Sequence, residues 1–190
     1  MFKHVDDEYS TMLDTAFYSQ RLTKTNYQAE GFDSFDEALS WTDRICGLAC
    51  LKMVIAQLTQ QVVPLKRLLD QGLAMNGYKK GVGWIHQKLA DMVMAYGVSA
   101  QCQSIGDHLY LIDNALEQRK LVIASVSCGF NPDKKGGHLV LIIGRNKESY
   151  IIHHPSAKEN EQWSHHTLST TAFQQCFSVE GNIIIISGST

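Results

Sequence analysis

Residues 41–57 read WTDRICGLACLKMVIAQ, and the architecture turns on how this stretch folds. Leu48, Ala49, Met53, Ala56 and Leu58 are compatible with a largely buried helix that begins near Cys46, and Pro64 ends or restarts the chain soon after. A cysteine at the start of a helix faces free backbone N–H groups and the positive end of the helix dipole, both of which favour a thiolate. Gly47 removes a side chain beside it, which would let a substrate carbonyl approach. Cys50 follows one turn later and reads as small apolar filling, the bland alternative for Cys46 as well.

Outward from this helix, helical patterns dominate the first two thirds of the chain. PLKRLLDQGLAM reads as a helix with Pro64 in its first turn, closed by Asn76-Gly77. GWIHQKLADMVMAYG is a third helix that stops at Gly97, and DHLYLIDNALEQRK a fourth with Asp107 as its cap. The pattern then changes to short β-branched runs at 121–127, 138–144 and 149–154, the last two joined by RNKE as an antiparallel hairpin. QWSHHTL and NIIIISG add two candidate strands. Helices feeding an antiparallel sheet make an α+β domain. Residues 1–39 are aromatic and acidic with weak periodicity, and read as an arm of short strands or turns packing on a domain at 40–190.

Bulk properties narrow the function. The chain has 190 residues, a formal charge of -2, a pI near 6.4 and 19% charged residues. It carries no footprint for nucleic acid or for an anionic membrane surface. No apolar run approaches the ~20 residues of a membrane span, and the polar, acidic N-terminus is unlike a secretory signal. These features predict a cytoplasmic chain acting on a peptide or small amide; they do not address its oligomeric state. Five cysteines, an odd number, fit reduced thiols better than a disulfide framework.

Thiol chemistry needs a histidine distant in sequence and near in space. His138 opens HLVLIIG directly after the polar loop NPDKKGG, which places it at a sheet rim. The next strand ends in His153-His154-Pro155, where an orienting group belongs. Those two histidines point to opposite faces of a strand, so at most one reaches His138.

From about Ser40 to Ser187 the sequence resembles the papain-like cysteine peptidases of the bacteriocin-processing (double-glycine leader peptidase) type, as a standalone relative. The matching features are CGLACLKMVI, GWIHQKLADMVMAYGVSAQ, ALEQRKLVIASV, GGHLVLIIG, YIIHHP and TLSTTAFQQCF followed by a closing strand. The resemblance implies a nucleophile helix packed on an antiparallel sheet, with Cys46 as nucleophile and His138 as general base, and no cofactor or metal. His154 stands where that family usually has an aspartate. It can accept a hydrogen bond but offers no negative charge to an imidazolium. Ser40 stands where the family has the oxyanion glutamine; Ser40, the Trp41 indole or a backbone N–H could serve there. Members linked to secretion cut leader peptides after paired glycines and are often fused to a transporter.

Two other readings follow from the same residues. The replacement of aspartate and glutamine fits a catalytically inactive relative that binds a peptide or partner in the groove. Histidine pairs at 153–154 and 165–166 on neighbouring strands could hold zinc, joined by Cys46 or His138.

Overall fold

The computed structural model describes residues 11–131, 133, 137–156 and 164–188. In chain order the elements are β1 (Thr11–Met12), α1 (Phe35–Trp41), α2 (Cys46–Thr59), α3 (Leu65–Ala74), β2 (Tyr78–Lys79), β3 (Gly83–Trp84), α4 (His86–Met94), β4 (Val98–Ser104), α5 (Tyr110–Glu117), β5 (Leu121–Ser127), β6 (Gly137–Arg145), β7 (Ser149–His153), β8 (His166–Ser169), α6 (Thr170–Cys176) and β9 (Asn182–Gly188). The main sheet runs β4-β9-β5-β6-β7-β8, with β1 also paired to β6, and its pairs are antiparallel. This is the α+β arrangement that the sequence pattern predicts.

Helices cover both faces of the sheet, which explains why LVIASVS of β5 is a continuous buried run without polar alternation. Along β6, Leu139, Leu141 and Ile143 face a core built with α2, α3 and α4. Val140 and Ile142, of opposite parity, join Ile112 and Leu116 of α5 and Phe173 of α6. α2 is buried from Cys46 through Ile55, as befits a central helix.

Gly47 is required by packing. A Cβ there would lie 2.9 Å from both Leu139 Cδ1 and Leu89 Cδ1, so the glycine lets α2 sit against β6 and α4. The glycine therefore has a packing reason of its own, apart from the approach of a substrate carbonyl. Gly47→Ala is expected to lower stability by about 1 kcal/mol, the low end for overpacking because both obstacles are leucine ends that can rotate. Urea unfolding of the two proteins measures it.

The first segment is more structured than its weak periodicity suggests. α1 starts at Ser34, whose hydroxyl accepts from Glu37 N–H at 3.2 Å. SFDE is a capping-box sequence, a signal legible in the chain but not carried by apolar periodicity. Glu30 ties the same segment to the core. Its carboxylate contacts the buried Lys52 ammonium at 2.5 and 2.6 Å and accepts from Leu65 N–H at 2.9 Å, at the start of α3. Asp107 does not cap α5: the helix starts two residues beyond the expected position, after Leu109 and without a side-chain cap, and Asp107 pairs with His108 at 3.1 Å. Gly83 and Trp84, expected within the third helix, pair instead with Tyr78 and Lys79 as a two-residue ladder. Part of the candidate strand QWSHHTL, residues 162 and 163, lies outside the described residues; its remainder contains β8.

Candidate active site

Cys46 is the first residue of α2, and His138 lies at the start of β6. Both line a cavity of about 480 Å³, within the range of small-molecule and peptide pockets. Its wall includes Tyr78, Trp84, Ser125 and Leu139. Trp84 is fixed by an indole N–H donated to Arg44 O at 2.7 Å, and Trp41, Tyr78 and Trp84 stack edge to face with centroids 5.3 Å apart in each pair. Tyr78 and Trp84 give the cavity an aromatic wall, while Asp43, Arg44 and His86 add polar and charged groups to its lining.

The electrostatics of Cys46 differ from the expectation of a ready thiolate. The residue is 9% exposed, and burial raises its pKa; hydrogen bonding from the backbone of Leu139, Gly47 and Cys46 pulls the other way. Desolvation outweighs the helix terminus here, because removing a thiolate from water costs more than the partial charge of three amides returns. Cys50, fully buried, is raised further and directs its thiol to Leu139 O at 3.7 Å, as core filling should.

His138 is held neutral. It is 5% exposed, and burial first, then electrostatic repulsion from the directions of His154 and Arg21, lower its pKa to about 3. His154 is its neighbour, with ring centroids 4.5 Å apart, while His153 points away and holds Thr15 O through Nε2 at 2.6 Å. The pair therefore splits across the strand as its alternation requires, and His154 is the member that reaches His138. No hydrogen bond between Cys46 Sγ and the His138 ring is present among the described residues; the ring's Nε2 faces Ser156 Oγ at 3.5 Å.

Ser40 is not brought to this cluster. It lies exposed on α1 and its hydroxyl donates to Glu37 O at 2.7 Å, one turn back in its own helix. The donors nearest the sulfur are backbone groups, leaving Trp41 engaged with Tyr78. The histidines of the zinc alternative are dispersed as well. His165 N–H donates to His153 Nδ1 at 3.1 Å and its ring meets Asp14, while His166 stacks on Phe130. Among the described residues no three His, Cys, Asp or Glu side chains gather in a way that could hold a metal.

No family model matches the sequence, and no curated protein sequence matches it. Solved structures do. A double-glycine-motif protease from an AMS/PCAT transporter, determined in complex with its leader peptide, superposes with a TM-score of 0.57 at 17% identity over 94% of both chains. A C39-like peptidase from Bacillus anthracis gives 0.63 at 15% identity over 96% of this chain and 100% of that one. The peptidase domain of Streptococcus ComA gives 0.57 at 16% identity over 77% and 93%. The fold is that of a papain-like cysteine peptidase.

In this peptidase fold two residues that periodicity and composition did not single out hold the site together. Ser156 sits between the rings of His138 and His154, and Arg21 donates from Nε to Ser156 O at 3.0 Å while its guanidinium contacts Asp43, three residues before Cys46. Ser156 follows the HHP motif directly, but nothing in the sequence marks a residue of the first segment as its partner. No helix among the described residues is long and apolar enough to cross a membrane.

The buried histidines also set an acid limit for the folded chain. Unfolded, each imidazole takes up a proton near pH 6.5; folded, His153 does so only near 4 and His138 near 3, mainly because of burial. Through that window the unfolded state binds more protons, so stability falls as pH drops from about 6.5 toward 4, and the His138 share continues toward 3. Urea midpoints at pH 7.5 and 5.5 should show this loss, with an uptake of about two protons on unfolding at the lower pH. A midpoint unchanged between the two would contradict the neutral, buried state of both rings.

Proposed function

We propose that this protein is a cysteine peptidase, or a closely related thiol-dependent acyl hydrolase, acting on a peptide or small amide. The observation that carries the reading is the convergence of Cys46 at the start of α2 and His138 at the start of β6 on one aromatic-walled cavity. The neighbour solved with a leader peptide supports an extended peptide as the occupant. At rest the nucleophile and base are both uncharged, so the proton moves when substrate arrives and not before.

In the proposed reaction the Cys46 thiol gives its proton to the His138 ring as sulfur adds to the acyl carbon. The C–N bond breaks, the amine leaves with that proton, and a thioester remains on Cys46. Water, deprotonated by His138, attacks the thioester, releasing the carboxylic acid and restoring the thiol. Negative charge on the carbonyl oxygen is met by N–H groups at the start of α2, which lack intrahelical partners. His138 must close on Cys46 for this step, since no hydrogen bond joins the two at rest, as is common in unliganded sites.

Incubation with a library of extended peptides, followed by acid quench and mass spectrometry, tests the reading. Cleavage products together with an acyl adduct on the Cys46 peptide are expected. Peptides bound but neither cleaved nor attached to Cys46 would identify a binding domain and overturn the proposal.

A further inference from the structure

Ser156 occupies a position that no part of the reaction above uses. Continuing the Leu141–His153 register of β6 and β7 brings Ser156 opposite His138, with His154 one step along on the same face. Its Oγ lies 3.1 Å from His154 Nδ1 and 3.5 Å from His138 Nε2. Three contacts from the first segment hold this stretch: Ser19 Oγ and Gln20 N–H donate to Pro155 O at 3.1 and 2.8 Å, and Arg21 Nε donates to Ser156 O at 3.0 Å. A hydroxyl so placed can accept from one ring and donate to the other.

We propose that Ser156 is the positioning residue of this site: it accepts a hydrogen bond from His138 Nε2–H and donates one to His154 Nδ1, so that His154 orients the His138 ring through Ser156. This rests on the reading of His138 as the base, and it settles which nitrogen does the work. With the proton kept on Nε2, Nδ1 carries the lone pair that can take the Cys46 proton. The opposite direction would place a proton on Nδ1 of both rings and leave His138 unable to act as a base from that atom. It would also put both imidazoles in the tautomer that free histidine disfavours, whereas the proposed direction gives each its preferred Nε2–H form. Burial first of all holds His138 neutral, the state that such a chain requires of this ring. A serine and a histidine thereby do, through two neutral hydrogen bonds, the orienting work of a carboxylate, without its charge.

Long-range proton–nitrogen NMR of histidine-labelled protein at pH 7 reads the tautomers directly, with signals assigned by their loss in His138→Gln and His154→Gln. The wild type should show the His138 proton on Nε2 and Nδ1 unprotonated. Ser156→Ala should shift the ring nitrogens of both His138 and His154, and Ser156→Thr, which keeps the hydroxyl, should restore them. A His138 proton on Nδ1, or ring signals unmoved in Ser156→Ala, would overturn the assignment. With a cleaved peptide in hand, Ser156→Ala should lower kcat by about 10- to 100-fold at little cost in KM, the penalty for a misaimed base, and Ser156→Thr should recover most of it. Should the wild type cleave nothing while the NMR result holds, the peptidase reading falls and the hydrogen-bond chain stands.

Discussion

Cys46→Ala is expected to lower kcat/KM for peptide cleavage by at least about 10³-fold, the scale on which removal of a covalent nucleophile acts. The loss should be chemical and not structural. The thiol is small and buried, and alanine leaves the first turn of α2 and its contacts through Gly47 intact. Cys50→Ala serves as the matched control: it removes a thiol from the same helix face without touching the cavity, so activity should change little. Steady-state assays on the three proteins decide the matter, and Cys46→Ala within tenfold of wild type would end the covalent mechanism. The pH dependence carries a second signature. Because burial raises the Cys46 pKa, little of the thiol is ionised at neutral pH, and alkylation by iodoacetamide should keep climbing as the solution is made alkaline. A plateau below pH 7 would instead reveal a preformed thiolate–imidazolium pair.

His138→Ala should cost about 10²- to 10⁴-fold in kcat/KM, the range for a lost general acid–base group, with the cysteine still present and alkylatable at high pH. Its effect on pH is as informative as its size. A base works while unprotonated, and His138 stays unprotonated until about pH 3 because it is buried and faces His154 and Arg21. Wild-type kcat/KM should therefore show no acid limb from this group between pH 7 and 5. Removing the Arg21 cation takes away one of the charges that lower the His138 pKa, so Arg21→Ala should move that limb upward. A wild-type profile that halves near pH 6.5 would contradict a desolvated His138.

How much of this was legible beforehand varies with the physics of each element. α2, β5, β6, β7 and β9 are long or strongly apolar segments whose periodicity announces burial, and they fall where the pattern places them. α1 was missed because seven residues with one buried side chain, Ala38, leave no apolar stripe, although the Ser34–Glu37 cap was visible. β3 reads as the start of a helix because its pairing with β2 depends on Gly83 at φ 109 and on the ring contact of Tyr78 with Trp84, and such a turn has no period. Ser40 rests on the family resemblance alone, and a serine inside a short exposed helix finds its nearest acceptor in the preceding turn.

The sequence by itself determined the α+β class, the helix that begins at Cys46, the strand that begins at His138 and the division of His153 from His154 across a strand. These are local matters of period and parity, which neighbouring residues encode. Only the tertiary structure decided that His154 is the ring beside His138, that Ser156 lies between them, and that Arg21 joins Ser156 O to Asp43 from more than a hundred residues away. It also decided the charge state of the site. A helix start argues for a thiolate, yet the energy of an ion depends on every group that excludes water from it, and for Cys46 and His138 those groups come from the whole fold.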